Sequence, residues 1–216
     1  IGPFTVHGYG LMIAIGVLSA YYMVEYRAKK KQMDWEKVFP LTVWSVLGGF
    51  LGSKILYLLT RLPDILANPA LLGSSIKDGF VVYGGIIGGI LTAWIYCKCT
   101  EGNFWKIFDI AMPAVAMAQG FGRIGCLLAG CCYGIELDPA NPIGIVFHNS
   151  AYAPNDVALL PTQIISSVLD FANCFVLLAL SKKLKTDGQV ASCYLIFYSI
   201  GRFVLEYFRG DLIRGN

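Results

Sequence analysis

Lys54, Arg123, Asp170, Arg202 and Glu206 are charged residues set inside otherwise apolar stretches of this 216-residue chain. A charge at mid-bilayer depth costs about 2.5–3.5 kcal/mol on insertion scales, so each needs an interior partner, a cavity or a ligand. Arg123 lies in Gln119-Gly-Phe-Gly-Arg-Ile-Gly125, where small residues let a neighbouring helix or a lipid headgroup approach the backbone. A planar guanidinium there suits a phosphate. The alternative is structural: Arg123 snorkels to the outer interface, or bridges to Asp170 or Glu206. Arg202 and Glu206 are four residues apart and share a helix face, which Arg209 continues one turn later. That face either holds an anionic headgroup and positions an attacking group, or forms an intrahelical pair that fixes the last helix.

Thiols add a second chemistry. Cys126, Cys131 and Cys132 cluster at the end of the stretch that carries Arg123, and Cys126 is three residues from that cation. Positive charge nearby favours thiolate. Cys126 is therefore a candidate nucleophile, or a partner for oxidation with Cys131 or Cys132, or simply a small apolar residue at a helix end. The seven cysteines show no Cys-x-x-Cys spacing, and no metal is expected. Cys97 and Cys99 are expected to be reduced and inert, and Cys174 and Cys193 to pack between helices. His7 and His148 read as loop histidines in solvent, and Asn155-Asp156 as turn chemistry. Lys54 is expected to pair with an acid.

The elements that position these residues follow from solvent preference. Hydrophobic residues make up 56% of the chain and charged residues 14%, against about 25% charged in a soluble domain. A helix needs roughly 20 apolar residues to cross the hydrocarbon core. Such stretches recur at 11–26, 39–59, 80–96, 107–132, 162–180 and 190–208. Breakers separate them: Lys29–Lys31, Asn68-Pro69, Glu101-Gly102-Asn103, Pro139 to Pro142 and Asp187-Gly188. The expected architecture is an all-α polytopic membrane protein, a single transmembrane helical domain over 1–216 with six crossings. A soluble domain behind a cleaved signal peptide is excluded. A first residue other than methionine and an end just past the sixth crossing lead us to expect a seventh helix beyond the carboxyl end. Within this frame Tyr83-Gly-Gly-Ile-Ile-Gly-Gly89 carries the pairs Gly84/Gly88 and Gly85/Gly89, and Gly48/Gly52 is another. Small residues four apart usually mean close helix packing.

Basic loops are retained on the cytoplasmic side. The loops after the first, third and fifth crossings carry ten Lys and Arg (Arg27, Lys29, Lys30, Lys31, Lys37, Lys98, Lys106, Lys182, Lys183 and Lys185). The opposite side carries four (Arg61, Lys77, Arg209 and Arg214). Both chain ends are therefore expected outside the cytoplasm. The net charge of +3 suits basic loops against anionic lipid, and nothing in it argues for nucleic acid.

Four motifs in order along the chain resemble the prolipoprotein diacylglyceryl transferase family: Ile1-Gly-Pro with His7-Gly-Tyr-Gly-Leu, Tyr83-Gly-Gly-Ile-Ile-Gly, Gly122-Arg-Ile-Gly, and Arg202-Phe-Val-Leu-Glu-Tyr-Phe-Arg209. The resemblance spans nearly the full length. It implies a seven-helix bundle in the bacterial cytoplasmic (inner) membrane with its amino end outside. It also implies transfer of a diacylglyceryl group from phosphatidylglycerol to the lipobox cysteine of a preprolipoprotein, with glycerol phosphate released and no metal, nucleotide or other cofactor. Arg123 matches the signature arginine expected to hold phosphate, and Arg202 and Glu206 match the late arginine and glutamate. Tyr9 matches a first-helix tyrosine facing the lipid site, and Gly134 the glycine closing the signature. Pro161 and Gln163 match a short motif opening the fifth helix. Gly84, Gly85 and Gly88 fall in the glycine motif expected to line the substrate.

Several positions depart from the family pattern. Tyr83 stands where the family usually has a catalytic histidine, and Cys126 replaces the asparagine after Arg-Ile-Gly. Ala129 and Cys131 replace further polar residues, and Leu160 and Ser166 stand in place of a histidine and a glutamate. Asp170, one turn beyond Ser166, is the expected substitute carboxylate. The leading expectation is a divergent transferase using Tyr83, Arg123, Cys126, Arg202 and Glu206, with Cys126 as a possible covalent way-station. The alternatives are a thiol–disulfide protein working through Cys126, Cys131 and Cys132, and a non-catalytic phospholipid-binding homologue.

Overall fold

Each long apolar stretch folds as an α-helix, the one open-ended conformation that pairs its own backbone N–H and C=O groups without water. The computed structural model describes residues 8–68, 73 and 79–210, so His7, Lys77 and Arg214 lie outside the described residues. The helices are α1 (Gly8–Lys30), α2 (Trp35–Thr60), α3 (Leu62–Ala67), α4 (Val82–Cys99), α5 (Phe104–Ala129), α6 (Thr162–Leu180) and α7 (Gln189–Glu206). Between α5 and α6 a two-residue antiparallel ribbon pairs β1 (Ile145–Val146) with β2 (Ala158–Leu159), in the register Ile145↔Leu159. The protein is thus an all-α polytopic membrane protein. α1, α2, α4, α5 and α6 are long and apolar enough to cross a membrane. The sixth expected crossing does form a helix, α7, but Gln189, Ser192, Ser199, Arg202 and Glu206 dilute its apolar residues and it is not among those five.

The chain divides into two compact units, one made of 28–107 and the other of the remaining residues. In the first, α2 and α4 meet backbone to backbone. A Cβ on Gly52 would strike the Gly84 carbonyl, and one on Gly84 or Gly88 would strike the Gly52 or Gly48 carbonyl. Lipid tails are as apolar as the side chains, so such association is driven by van der Waals fit rather than by the hydrophobic effect. Ser53 reinforces it, its hydroxyl donating to the Val81 carbonyl at 2.7 Å. Lys54 finds a carbonyl and two rings: Nζ donates to Gly79 O at 3.2 Å and sits 4.7 Å over Phe80 and 5.3 Å over Tyr57. Aromatic faces stabilise an ammonium through their quadrupole.

In the second unit α5, α6 and α7 share a core of Met112, Ala116, Cys174, Leu177, Val190, Ala191 and Tyr194, so Cys174 packs between helices as expected. Two charged residues are buried beside it. Asp109, 2% exposed, accepts the Gly188 and Ala191 N–H groups at 2.9 and 2.8 Å. It thereby caps the start of α7, whose own flanking residue, Gly188, has no side chain to do so. Arg27 was grouped above with the loop cations, yet it is only 6% exposed. It donates to the Asp109 carbonyl at 3.1 Å and to Ser181 Oγ at 3.3 Å. Its long stem lets the guanidinium reach a carbonyl in the second turn of α5 and the hydroxyl just past the end of α6.

Candidate active site

Residues 166, 170 and 173 of α6 are spaced by four and three and so lie on one helical face. Their side chains, Ser166, Asp170 and Asn173, are all buried. α5 brings Arg123 to this face, and α7 brings Phe197, Tyr198, Gly201, Arg202 and Leu205. Together these residues line a narrow, partly open crevice with a cavity volume of about 30 Å³. α5 and α6 are held close by the Ser167 hydroxyl, which donates to the Gly120 carbonyl at 2.9 Å. Gly120 itself leaves room for the Phe171 ring, which would lie 2.7 Å from a Cβ there. The Tyr194 hydroxyl donates to Gln119 Oε1 at 2.9 Å and ties α7 to α5.

Inside the crevice the Arg123 guanidinium acts electrostatically on the Asp170 carboxylate. Arg202 pairs with Glu206 at 2.5 Å, and Arg209 approaches the other Glu206 oxygen at 3.5 Å. Glu206 is half exposed between two guanidiniums. Asn173 Oδ1 is buried without a hydrogen-bond partner. An acceptor left unpaired costs about 1–3 kcal/mol, which marks it as a group waiting for a donor. The crevice thus offers cations for an anionic group, a carboxylate for a proton and acceptors for hydroxyls.

Beyond Arg123, α5 ends in a tight loop. Gly130 and Cys132 take φ of +71° and +60°, the left-handed region that non-glycine residues rarely enter. The Sγ atoms of Cys126, Cys131 and Cys132 lie within 4.8 Å of one another. The start of α6 grips this loop: Thr162 Oγ1 donates to the Cys132 carbonyl at 2.8 Å and Gln163 Nε2 to the Cys131 carbonyl at 2.9 Å. Gln163 is buried and its Oε1 is unpaired. Gly134 lies where three segments converge. Its N–H donates to the Leu160 carbonyl at 3.0 Å, it pairs with Arg209, and a Cβ would sit 2.7 Å from Leu160 O. Tyr9 packs its ring on Gly125 and is within electrostatic reach of Arg123 and all three thiols.

Of the remaining sequence candidates, Tyr83 and the glycines that follow it belong to the other unit. Tyr83, in the first turn of α4, is 74% exposed. Gly84 and Gly88 abut Gly52 and Gly48, and Gly85 abuts Gly49 and Ser53. His148 pairs with Asp156 at 2.7 Å, both exposed. Asn155 makes the expected turn, accepting the Ser150 N–H at 2.7 Å. The structure therefore brings Arg123, Asp170 and Arg202 into one crevice, with Glu206 joined through Arg202. It gathers the three thiols beside Tyr9 and Gln163. Sequence reasoning missed Asn173 and Asp109. Asn173 was within reach, since positions 166, 170 and 173 carry polar residues at helical spacing; Asp109 gives no such signal, because its partners are backbone groups 79 and 82 residues away.

The prolipoprotein diacylglyceryl transferase family model matches residues 1–215. The chain belongs to this family. Relatives in the prolipoprotein diacylglyceryl transferase family include the phosphatidylglycerol–prolipoprotein diacylglyceryl transferase of Clostridium tetani, 45% identical over 212 residues, or 98% of this chain and 83% of that protein. A second enzyme of that name from Clostridium perfringens is 42% identical over 95% of this chain and 80% of its own length. The Staphylococcus carnosus transferase is 32% identical over 98% of this chain and 78% of its own length. The crevice of Arg123, Asp170 and Arg202 is the candidate centre of this family member.

Proposed function

We propose that the chain transfers the diacylglyceryl group of phosphatidylglycerol to the thiol of a lipobox cysteine in a preprolipoprotein. It does so in a bacterial cytoplasmic membrane, with its amino end outside. The observation that carries this reading is a crevice between apolar helices lined by two guanidiniums, Arg123 and Arg202, around a buried carboxylate, Asp170. In the reaction the thiol sulfur attacks the glyceryl carbon, the C–O bond to phosphate breaks, and glycerol phosphate leaves with the electron pair. Arg123 and Arg202 bind the phosphate and stabilise the charge that grows on the leaving oxygen. Asp170 or Glu206 accepts the thiol proton. Ser166 and Asn173 hold hydroxyls of the headgroup. Tyr9, Gly134 and Gln163 shape the lipid side, and Gly84, Gly85 and Gly88 keep the Tyr83 segment in place. The excess of loop cations on one side, ten to four, supports the orientation.

The test is incubation of the purified protein in phosphatidylglycerol liposomes with a lipobox peptide, read by mass spectrometry. The peptide is expected to gain one diacylglyceryl group with an equivalent of glycerol phosphate released, and Arg123→Ala is expected to slow product formation by about 10²–10³. An unmodified peptide with the parent protein would overturn the assignment.

A further inference from the structure

The three-cysteine loop at the end of α5 has more construction than the transfer reaction calls for. Its sulfurs lie within 4.8 Å of one another, at intermediate burial. Cys126 and Cys132 are close enough to interact electrostatically. The loop is held by two side chains of α6, Thr162 and Gln163, each bonded to the carbonyl of a cysteine, and Cys132 adopts a left-handed conformation that turns it back toward Cys126. Backbone strain held in place by surrounding bonds is characteristic of sites that must present side chains in one arrangement.

We infer that Cys126, Cys131 and Cys132 form a binding site for a thiophilic d10 cation of the Zn2+ and Cd2+ class, held by three sulfur ligands. A Zn–S bond of about 2.3 Å sets tetrahedral sulfur–sulfur separations near 3.8 Å, so closing on the ion requires contraction by about 1 Å at most from the separations present. Coordination needs thiolates, and each thiol gives up its proton to solvent as the metal binds. A divalent ion with three thiolates carries one net negative charge. Arg123, three residues from Cys126 on the same helix and acting electrostatically on it, offsets that charge. The carbonyl bonds from Thr162 and Gln163 hold the ligand-bearing loop in the way outer-shell partners hold metal ligands elsewhere. The sequence has no Cys-x-x-Cys spacing, and the adjacency of Cys131 and Cys132 is workable because the left-handed turn at Cys132 redirects its side chain.

The test reads metal directly and does not depend on transfer activity. The full chain in detergent, chelator-stripped and phosphine-reduced so that no cysteine is held in a disulfide, is titrated with Cd2+. The expected result is one Cd2+ bound per chain, with an ultraviolet sulfur-to-cadmium charge-transfer band and proton release. Cys126→Ser and Cys132→Ser should each weaken binding at least about tenfold, and Gln163→Ala by about tenfold. A control lacking Cys97, Cys99 and Cys193, each replaced by serine, should bind as the parent does. Absence of stoichiometric Cd2+ in the fully reduced parent would overturn the proposal without reference to any variant. So would loss of binding in the control, or a Cys126–Cys132 disulfide whose reduction restores no metal uptake.

Discussion

The two units solve the same problem, joining helices in a solvent as apolar as they are, by opposite means. In residues 28–107, α2 and α4 discard side chains at the contact and press glycine against glycine. In the other unit α5, α6 and α7 join through buried polar groups: Ser167 to Gly120, Tyr194 to Gln119, and Asp109 to the start of α7. Backbone contact leaves no chemistry behind. Polar contact in hydrocarbon must be satisfied group by group, and where it is left incomplete, as at Asn173 Oδ1 and Gln163 Oε1, it creates places for a ligand. The lesson is that a scaffold pair and a reactive trio can be told apart by what fills the helix contact, independent of overall hydropathy, since α2, α4, α5 and α6 are all apolar enough to cross.

Substitutions can break or sharpen this contrast. The largest effect is expected from Arg123→Ala, which removes a phosphate-binding donor from the polar trio. It should lower kcat/KM for lipobox peptide modification by about 10²–10³ while leaving the thermal unfolding profile in detergent unchanged. An equal loss of stability would move Arg123 from the reactive side of the contrast to the structural one. Gly52→Ala is the counterpart in the glycine pair. Its new methyl meets the Gly84 carbonyl and the Gly88 Cα, both backbone and unable to swing aside. The helices must separate, and unfolding in mixed micelles should show a loss of about 1–3 kcal/mol.

Asp109→Ala should cost about 1–3 kcal/mol, because a buried N–H in the first turn of α7 and a partly buried one at its cap lose their acceptor. Hydrogen exchange at Gly188 and Ala191 should rise more than elsewhere in α7, and uniform exchange along the helix would deny Asp109 its capping role. The smallest effect, of opposite sign, is expected at Gly10. A Cβ there meets nothing within 4 Å, so Gly10→Ala should stabilise the helix by about 0.5–1 kcal/mol. The same exchange of glycine for alanine then lowers stability at one position and raises it at another, which only a difference in contact explains.

Much of the fold was legible from residue types. The apolar stretches at 39–59, 80–96 and 162–180 became α2, α4 and α6 with ends shifted by a few residues, and Gly48, Gly52, Gly84 and Gly88 pack as their spacing implied. Arg123 and Arg202 stood out because a cation in hydrocarbon is costly wherever it pairs. Arg27 was misjudged for the same reason: at the end of an apolar stretch a cation reads as a loop charge, and only the arrival of Asp109 and Ser181 makes it buried. Lys54 was expected to meet an acid; the partners it shows among the described residues are a carbonyl and aromatic rings of its own unit.

By itself, then, the sequence determined where the long apolar helices fall, which residues carry unusual charge in them, and the family to which the chain belongs. These are decided by transfer free energies summed over neighbours in the chain, and by motifs whose spacing is local. The tertiary structure alone decided that Arg123, Asp170 and Arg202, from three helices, line one crevice, that Asn173 joins them unpaired, and that three thiols close to within 4.8 Å. Such convergence depends on which helix faces meet and at what depth, which is settled by pairwise packing between residues far apart in the chain.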